Sequence, residues 1–333
     1  MKVFVAGASG AIGKQLVPQL IQSGHEVVAM TRSEQKAGSL RALGAQPVIV
    51  DAFDRAAVVE AVVVAKAEIL IHQLTALTGV KDFRNFDREF ALTNRLRTEG
   101  TAILLEAARA AGIRRVIAQS YGSWNYERTG SGPKAETDRL DPTPPKNQTK
   151  TLEAIRYIEQ AVSTADGLLG IVLRYGNLYG PGTGIAADGD IAAMVRKRSF
   201  PVVGNGAGVW SFIHVADAAS ATVAAITHGA QGIYNVADDE PAAVAVWLPE
   251  LARALGAKAP FRVPVWVGRL ATGSVGVSMM TQIRGASNAK AKRELDWTPR
   301  YASWREGFRT GLQDSAVGLS GKPSSSSSTR SAA

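Results

Sequence analysis

Short apolar runs alternate with amphipathic stretches through the first half of the chain. In one amphipathic stretch, Ile12, Leu16 and Leu20 recur at helical spacing and predict a helix with one buried face. The apolar runs are continuous, which is typical of strands covered on both faces of a sheet. They predict strands at Val3–Ala6, Val27–Met30, Pro47–Val50, Glu68–His72, Arg115–Gln119 and Gly170–Leu173.

The stretches between these strands predict the connecting helices. Because each crossover must return the chain to the same edge, the strands pair in parallel. Right-handed crossovers then give an α/β fold with a doubly wound parallel sheet, the Rossmann fold. The predicted helices are Ile12–Gln22, Lys36–Leu43, Arg55–Ala65, a long one from about Phe86 to Ala111, and one at about Thr151–Ala165.

The pattern loosens after the sixth strand, and this change predicts the domain organisation. We expect residues 1–175 to form the dinucleotide-binding core, rejoined by about 210–237. Residues 176–209 are rich in glycine and proline, and with residues 238–314 they are expected to form a smaller C-terminal substrate-binding lobe. Residues 315–333 have low complexity and are expected to be disordered.

Composition removes several classes of function. The chain has no cysteine, which excludes disulfides, thiolate nucleophiles and cysteine-ligated metals. Its four histidines lack metal-binding spacing, so no metal site is predicted. The net charge of +9 is spread along the chain beside acidic residues, so no nucleic-acid partner is expected. No leader or membrane-spanning stretch is visible, and we expect a cytoplasmic protein without membrane association.

Three glycines lie between the first predicted strand and the first predicted helix. Gly7 permits a tight turn, Gly10 lets the backbone approach a pyrophosphate, and Gly13 lets the helix pack close to the sheet. The helix N-terminus offers free N–H groups and a positive dipole end to the phosphates. This context predicts a nicotinamide dinucleotide held by Gly7, Ser9, Gly10, Ala11, Ile12 and Gly13.

The residues after the second strand bear on the choice between NAD(H) and NADP(H). An acidic residue there would accept from the ribose hydroxyls, but the chain has Thr31, Arg32 and Ser33. Arg32 can pair with a 2′-phosphate, or instead stack on the adenine ring, and the two hydroxyls can donate to the phosphate. NADP(H) is therefore favoured and NAD(H) remains possible. Asp51 either accepts from the adenine amino group or caps the next helix.

With these residues in place, the chain resembles the extended short-chain dehydrogenase/reductase family, the NAD-dependent epimerase/dehydratase group. Beside the glycine turn, the resemblance rests on residues 100–108, 173–182, 211–217 and 234–236, and it extends to about residue 312. It implies a small-molecule substrate and a homodimer formed through the two long helices. It also implies that the cofactor is lined by Leu74, Thr75, Ala76, Tyr175 and Asn177.

The resemblance places the family's catalytic Ser/Thr at Ser120, but the family's Tyr-x-x-x-Lys pair is missing. One register puts Lys146 and Lys150 at the two positions, and another puts Thr151 and Ile155 there. Ordinary carbonyl reduction then needs another proton donor, because the tyrosine normally supplies the proton.

Two tyrosines could replace that donor. Tyr121 directly follows Ser120, and Tyr126 lies five residues further on; either could instead be a packed ring with a hydrogen-bonded hydroxyl. Lys150 either contacts a ribose or lies on the surface. Arg97 occupies the place of an asparagine in relatives and either holds substrate or cofactor or forms a surface ion pair.

One tryptophan bears on the choice of substrate, and three titratable residues are expected to have structural roles. Trp210 stands where many relatives carry a sugar-nucleotide-binding arginine, which favours a smaller or more apolar substrate. We expect His72 and His214 to be structural and Asp217 to cap a helix.

These residues lead to one main functional hypothesis and two alternatives. The main hypothesis is an NADP(H)-dependent oxidoreductase acting on a carbonyl or alcohol, with Ser120 orienting the oxygen and Tyr121 or a water relaying the proton. One alternative is a redox-inactive dinucleotide-binding sensor or scaffold. The other is a non-redox isomerase or lyase on the same fold.

Overall fold

Strands and helices alternate from the first residues of the protein. The structure is a computed structural model and describes residues 1–77 and 82–313. Its first half contains β1 (Lys2–Ala6), α1 (Ala11–Gln22), β2 (Glu26–Thr31), α2 (Glu34–Ala42), β3 (Gln46–Ile49), α3 (Arg55–Ala65), β4 (Ile69–His72), α4 (Phe86–Glu89), α5 (Ala91–Arg95), α6 (Thr101–Ala110), β5 (Arg115–Tyr121), α7 (Thr149–Ser163) and β6 (Leu169–Tyr175).

Shorter elements follow the sixth strand. They are β7 (Asn177–Tyr179), α8 (Asp190–Arg196), β8 (Val202–Val203), β9 (Val209–Trp210), β10 (Phe212–His214), α9 (Val215–Ala224), β11 (Gly232–Val236), β12 (Ala242–Ala243), α10 (Val244–Ala254), β13 (Arg262–Val263), α11 (Val265–Thr281), α12 (Ala289–Glu294) and α13 (Trp304–Thr310).

A seven-stranded parallel sheet forms the centre of the fold, in the order β11-β6-β5-β4-β1-β2-β3. The chain first builds outward from β1 to β3 and then crosses back to place β4 on the other side of β1. This reversal is the switch point at which doubly wound sheets bind dinucleotides. The predicted Rossmann fold is confirmed.

Helices cover both faces of the sheet. One apolar cluster joins α1, α9 and α12 to one face, and another joins α3, α6 and α7 to the opposite face. This double coverage explains why the strands read as continuous apolar runs. Across the first face, α1 packs against α9, and the Gln19 amide donates to the Ala216 carbonyl at 3.1 Å.

A second core rich in aromatic rings lies beyond the carboxyl end of the sheet. It contains Phe212, Trp247, Trp304 and Phe308, and it extends to Leu152 on α7. Three two-stranded pairs frame it: β7 with β10, β9 with β12, and β8 with β13. The expected disorder of residues 315–333 lies outside the described residues.

Some element predictions were wrong. The single helix expected over 86–111 is a series of shorter segments in which Leu96–Gly100 forms a π-helical turn. Helices α8, α11 and α13 were not predicted. Glycines weaken the helical signal in α11, and Gly273 interrupts it with a φ of +69°.

Within the described part of the chain, no helix is long and apolar enough to cross a bilayer. Nor do three or more histidine or acidic side chains converge there in an arrangement that could hold a metal ion.

Candidate active site

The glycine turn makes a backbone cradle at the switch point. Gly7 has a φ of +91°, and a Cβ added there would lie 2.5 Å from the carbonyl oxygen of Gln73. At Gly13 an added Cβ would lie 2.3 Å from the Ala8 carbonyl oxygen. Both positions therefore require glycine, the first because of its conformation and its neighbour, the second because of close packing.

Helix α1 begins above this cradle without a side-chain cap. Gly10 precedes its first residue, and a Cβ there would approach only the Gly7 carbonyl oxygen, at 3.4 Å. The first-turn N–H groups of an α-helix have no partner within the helix, and no side chain caps this one. The residues fit a dinucleotide, whose phosphates would be held by these N–H groups at the positive end of the helix dipole.

The segment after β2 combines two engaged hydroxyls with a free cation. Thr31 is buried and accepts from the Ser33 amide at 3.3 Å, while the Ser33 hydroxyl accepts from the Lys36 amide at 3.4 Å and caps α2. Arg32 is exposed and has no ion pair or hydrogen bond from its side chain within residues 1–77 and 82–313. Its guanidinium is therefore available to an anionic group at the adenosine end of a cofactor.

Asp51 lies at the same edge, just beyond β3. Its carboxylate accepts from the Phe53 amide at 2.8 Å, whereas the cap of α3 is Asp54, which accepts from Ala57. The alternative interpretation of Asp51 as the helix cap is wrong. Its contact with adenine stays a prediction.

The segment after β4 is pinned by polar contacts. The His72 ring lies 3.1 Å from the Thr101 hydroxyl and accepts from the Leu74 amide at 3.2 Å, and the Ala76 amide donates to Thr93 at 3.0 Å. The prediction that His72 is structural is confirmed. Leu74, Thr75 and Ala76 remain partly accessible along this segment, at the carboxyl end of the sheet.

The two residues predicted after β6 differ in accessibility. Tyr175 is 1% exposed, and its hydroxyl lies between Thr222, at 2.6 Å, and the Gln73 amide, at 3.0 Å. Its carbonyl accepts from Gly122. The Tyr175 ring thus belongs to the core. Asn177 is half-buried at the start of β7, nearer to the expected substrate side.

Ser120 contacts a buried ion pair. Its hydroxyl donates to Oε1 of Glu159 at 2.8 Å, and Arg174 donates to the same carboxylate through Nε at 2.7 Å and Nη2 at 2.6 Å. Both charged side chains are at most 5% exposed. Glu159 raises the pKa of Arg174 above its usual range. The role of Ser120 toward substrate stays a prediction, and its hydroxyl proton is already engaged by Glu159.

The network continues to Tyr126 and ends on β11. Arg174 donates to the Tyr126 hydroxyl at 2.8 Å, and that hydroxyl donates to the Asn235 side-chain oxygen. Burial raises the pKa of Tyr126 to about 12. Of the two interpretations of Tyr126, the structure therefore favours the packed ring over the proton donor.

Tyr121 follows Ser120 but lies among different partners. Its hydroxyl donates to Oδ1 of Asn177 at 2.6 Å, and its ring packs 5.8 Å from that of Trp124. The Asn177 amide in turn donates to Ser123 and to the Ser211 carbonyl, each at 3.0 Å. Burial raises the pKa of Tyr121 above its usual range, so the hydroxyl stays protonated and can donate a hydrogen bond.

The start of α7 distinguishes the two registers considered for the missing pair. Lys146 and Lys150 are exposed, whereas Thr151 and Ile155 are buried on the helix face that also carries Glu159. Thr151 donates to Asp87 at 2.7 Å and accepts from the Asn94 amide at 3.0 Å. The face that points toward β5 and β6 thus carries threonine and isoleucine. Lys150 takes the surface position that was one of its two interpretations.

Arg97 lies in the π-helical turn and is not on the surface. It is buried, which rules out the surface ion pair considered from sequence. Its Nε and Nη1 atoms have no hydrogen-bond partner among the residues that the structure describes. Burial lowers the pKa of Arg97 to about 10, and the nearby negative charge of Glu159 opposes that shift.

Three further polar residues hold the surrounding structure. Trp210 donates to the Met279 carbonyl at 2.9 Å inside the aromatic core. His214 caps α9, as expected of a structural residue. The prediction that Asp217 caps that helix is wrong, because its carboxylate accepts from the Arg300 and Tyr301 amides and so holds the segment before α13.

The sequence matches the NAD dependent epimerase/dehydratase family over residues 3–237. The chain belongs to this family. The resemblance identified from the glycine turn and the later segments is therefore confirmed. The chain is an enzyme, and its relatives include proteins named as reductases and epimerases.

Curated and solved members extend the comparison. The chain is 44% identical over 311 residues to a 3-diazoavenalumate denitrifying reductase from Streptomyces, covering 92% of this chain and 99% of that protein. It shares its fold with the UDP-glucose 4-epimerase of Thermus thermophilus in complex with NAD, at a TM-score of 0.71 and 24% identity over 94% of this chain and 98% of the other. A human epimerase family protein with NADPH superposes with a TM-score of 0.73 at 17% identity, covering 94% and 99%.

The start of α7 bears on the position that the resemblance to the epimerase/dehydratase family predicts for proton transfer. Thr151 and Ile155 stand on the buried face of α7 where the family's tyrosine and lysine are expected in the register anchored on Glu159. Neither side chain can supply a proton with the acidity of that pair.

Proposed function

We propose that this protein is an NADPH-dependent reductase that replaces the diazo group of an aromatic substrate by hydrogen and releases dinitrogen. The proposal is supported by the 44% identity of the chain to a reductase named for denitrifying a diazo compound. It is also supported by the sequence, which contains no Tyr-x-x-x-Lys motif.

The charge balance of the reaction accounts for the missing acid. A bound reduced nicotinamide supplies a hydride, that is, two electrons and one proton. Reduction of a carbonyl to an alcohol also consumes a proton at oxygen, which a tyrosine normally delivers. Replacement of an aryl diazonium group breaks the C–N bond, forms a C–H bond and releases N₂. Cation and hydride sum to a neutral product, and no further proton is consumed.

Different residues would bind the cofactor, contact the substrate and hold the site in shape. The amides around Gly10 would hold the diphosphate, and Arg32 would pair with the 2′-phosphate. Tyr121 at the end of β5 and Asn177 at the start of β7 form a hydrogen-bonded pair and would contact the substrate. In this proposal Ser120 holds Glu159 in place and acts on the substrate only through the shape of the site.

The reaction is tested with purified protein, NADPH deuterated at C4 and 3-diazoavenalumate, the compound for which the relative is named. We expect one NADPH oxidised and one N₂ released per substrate, with deuterium on the arene carbon that carried the diazo group, at a rate well above the enzyme-free control. A parallel panel of aldehydes and ketones should give no oxidation. Turnover of ketones with an untouched diazo compound would refute the proposal, and tight NADPH binding without any oxidation would favour the sensor.

The cofactor preference is tested at Arg32. Charge-assisted hydrogen bonds to phosphate predict that Arg32→Ala weakens NADPH binding about ten- to hundredfold and leaves NADH binding unchanged. The matched control is Arg41→Ala, which removes an exposed arginine of α2 paired with Glu34 at 3.5 Å. Equal NADPH affinity in the Arg32 variant and the wild type would show that the 2′-phosphate is recognised elsewhere or not at all.

A further inference from the structure

A buried cation without a partner lies near the carboxyl ends of β4 and β5. Arg97 is 5% exposed, and two of its three guanidinium nitrogens have no hydrogen-bond partner in residues 1–77 and 82–313. Burial lowers the pKa of Arg97 only to about 10, so the group remains charged at neutral pH. An unpaired buried charge is costly, and proteins bury charges where they are paired.

The backbone around Arg97 is unusual and well anchored. Leu96–Gly100 forms a π-helical turn, a local widening that is frequent at functional sites. The next residue, Thr101, lies 3.1 Å from the ring of His72 and so ties the turn to the end of β4. The guanidinium is thereby fixed at the half of the sheet that receives the nicotinamide end of a dinucleotide.

The carboxylate whose charge acts on Arg97 already has hydrogen-bond donors of its own. Glu159 receives two hydrogen bonds from Arg174 and one from Ser120. Its field favours the charged form of Arg97, but no carboxylate in the described residues lies within ion-pair distance of Arg97. Arg97 therefore carries a positive charge and free N–H groups, and an anionic ligand could supply the partner that the described residues do not provide.

We propose that Arg97 binds an anionic oxygen of the substrate, a carboxylate or a phenolate, next to the reacting carbon. This inference rests on the proposed function and specifies its substrate as an organic anion. The guanidinium fork matches a carboxylate in geometry and charge. A bound cofactor would offer no equivalent partner here, because its phosphates would be held at the glycine turn and its nicotinamide riboside carries no anionic group.

The pairing also solves an electrostatic problem of the proposed reaction. A free guanidinium near the nicotinamide would repel a diazonium cation. An anionic oxygen on the same substrate neutralises Arg97, so that the diazonium group enters a site without excess positive charge. A zwitterionic aromatic substrate is therefore admitted, whereas a diazonium cation lacking the anion is disfavoured.

The test uses binding instead of turnover, with the NADP⁺-loaded protein and three stable probes: 4-hydroxycinnamate, its methyl ester and 4-methoxycinnamate. Calorimetry should show that Arg97→Gln weakens 4-hydroxycinnamate binding about ten- to hundredfold, the range expected for charge-assisted hydrogen bonds. Arg97→Lys should lose less. The matched control, Arg109→Gln, removes an exposed arginine of α6 and should leave binding unchanged.

The two methylated probes identify which oxygen Arg97 binds, because the ester has lost the carboxylate and the methyl ether has lost the phenolic hydroxyl, which Arg97 would bind as the phenolate. The probe that lacks the bound oxygen should bind the wild type weakly and should bind Arg97→Gln equally weakly. The inference is overturned if Arg97→Gln alters NADP⁺ affinity alone, if all three probes bind both proteins alike, or if none binds the wild type. Because no probe carries a diazo group, a failed reduction assay leaves this result standing, and a failed binding assay leaves the reduction intact.

Discussion

The buried ion pair between Glu159 and Arg174 gives the sharpest stability prediction. Arg174 donates to both carboxylate oxygens, at 2.7 and 2.6 Å, and the Ser120 hydroxyl adds a third bond at 2.8 Å. With both side chains at most 5% exposed, water cannot replace a deleted partner. Glu159→Ala leaves an uncompensated guanidinium in the core and should cost about 3–5 kcal/mol of unfolding free energy.

The protein offers a matched control on its surface. Arg95 and Glu99 form the same kind of doubly hydrogen-bonded pair, at 2.6 and 3.0 Å, but their side chains are 53% and 43% exposed. Glu99→Ala should therefore lower the free energy of unfolding far less than Glu159→Ala does, because solvent screens an exposed pair. The two variants remove the same charge from similar geometry and differ in burial.

Urea unfolding of the cofactor-free protein at neutral pH, followed by tryptophan fluorescence and circular dichroism, measures both changes. Ser120→Ala should lose an intermediate amount, about 1.5–3 kcal/mol, because it removes one hydrogen bond to a charged group. The double variant Glu159→Met/Arg174→Met should lose less than Glu159→Ala, since no charge is left unpaired. Equal losses in Glu159→Ala and Glu99→Ala would show that burial does not set the strength of this pair.

Two further predictions concern the cradle and the pH dependence. Gly7→Ala should abolish dinucleotide binding in calorimetry, because the new Cβ would lie 2.5 Å from the Gln73 carbonyl oxygen. In the control Gly38→Ala on α2, the new Cβ meets nothing within 4 Å, and the affinity should be unchanged. Intact binding in Gly7→Ala would show that the glycine turn does not hold the dinucleotide. Burial lowers the pKa of His72 to about 4 from an ordinary value of 6.5, so the unfolded chain takes up a proton first as the pH falls. The free energy of unfolding should drop by up to about 3 kcal/mol as the pH falls from 6.5 to 4. His72→Gln should remove this pH dependence, whereas His228→Gln, at an exposed histidine, should keep it. The same dependence of the unfolding free energy on pH in the wild type and both variants would disprove the assignment.

The sheet and the cofactor cradle were predictable because their signals are local. Gly7, Gly10 and Gly13 fall within one turn between a strand and a helix, and the meaning of each glycine depends on its immediate neighbours. The parallel, doubly wound sheet follows from the alternation of strands and helices and the handedness of the crossovers. These features need no knowledge of which distant residues meet.

The catalytic end was harder because it depends on distant contacts. The sequence left two registers open at the start of α7, and the structure favours the one anchored on Glu159, whose partner Arg174 lies fifteen residues later on β6. A signal was present, since an arginine inside an apolar strand needs an acidic partner. The burial of Arg97 depends on a π-helical turn, which no periodicity in the sequence predicts.

The position of β11 has a consequence for synthesis of the protein. Within residues 1–77 and 82–313, strand β11 pairs with β6 alone, and its Asn235 is the acceptor that completes the bonding of the Tyr126 hydroxyl. A ribosome must finish residue 236 before the flank of β6 is covered. Until then a nascent chain exposes the edge of β6, a strand that is almost wholly buried in the finished protein, and such an edge can template aggregation. Premature termination before residue 232 should thus yield products that require chaperones, even though every residue of the cofactor cradle has already been made.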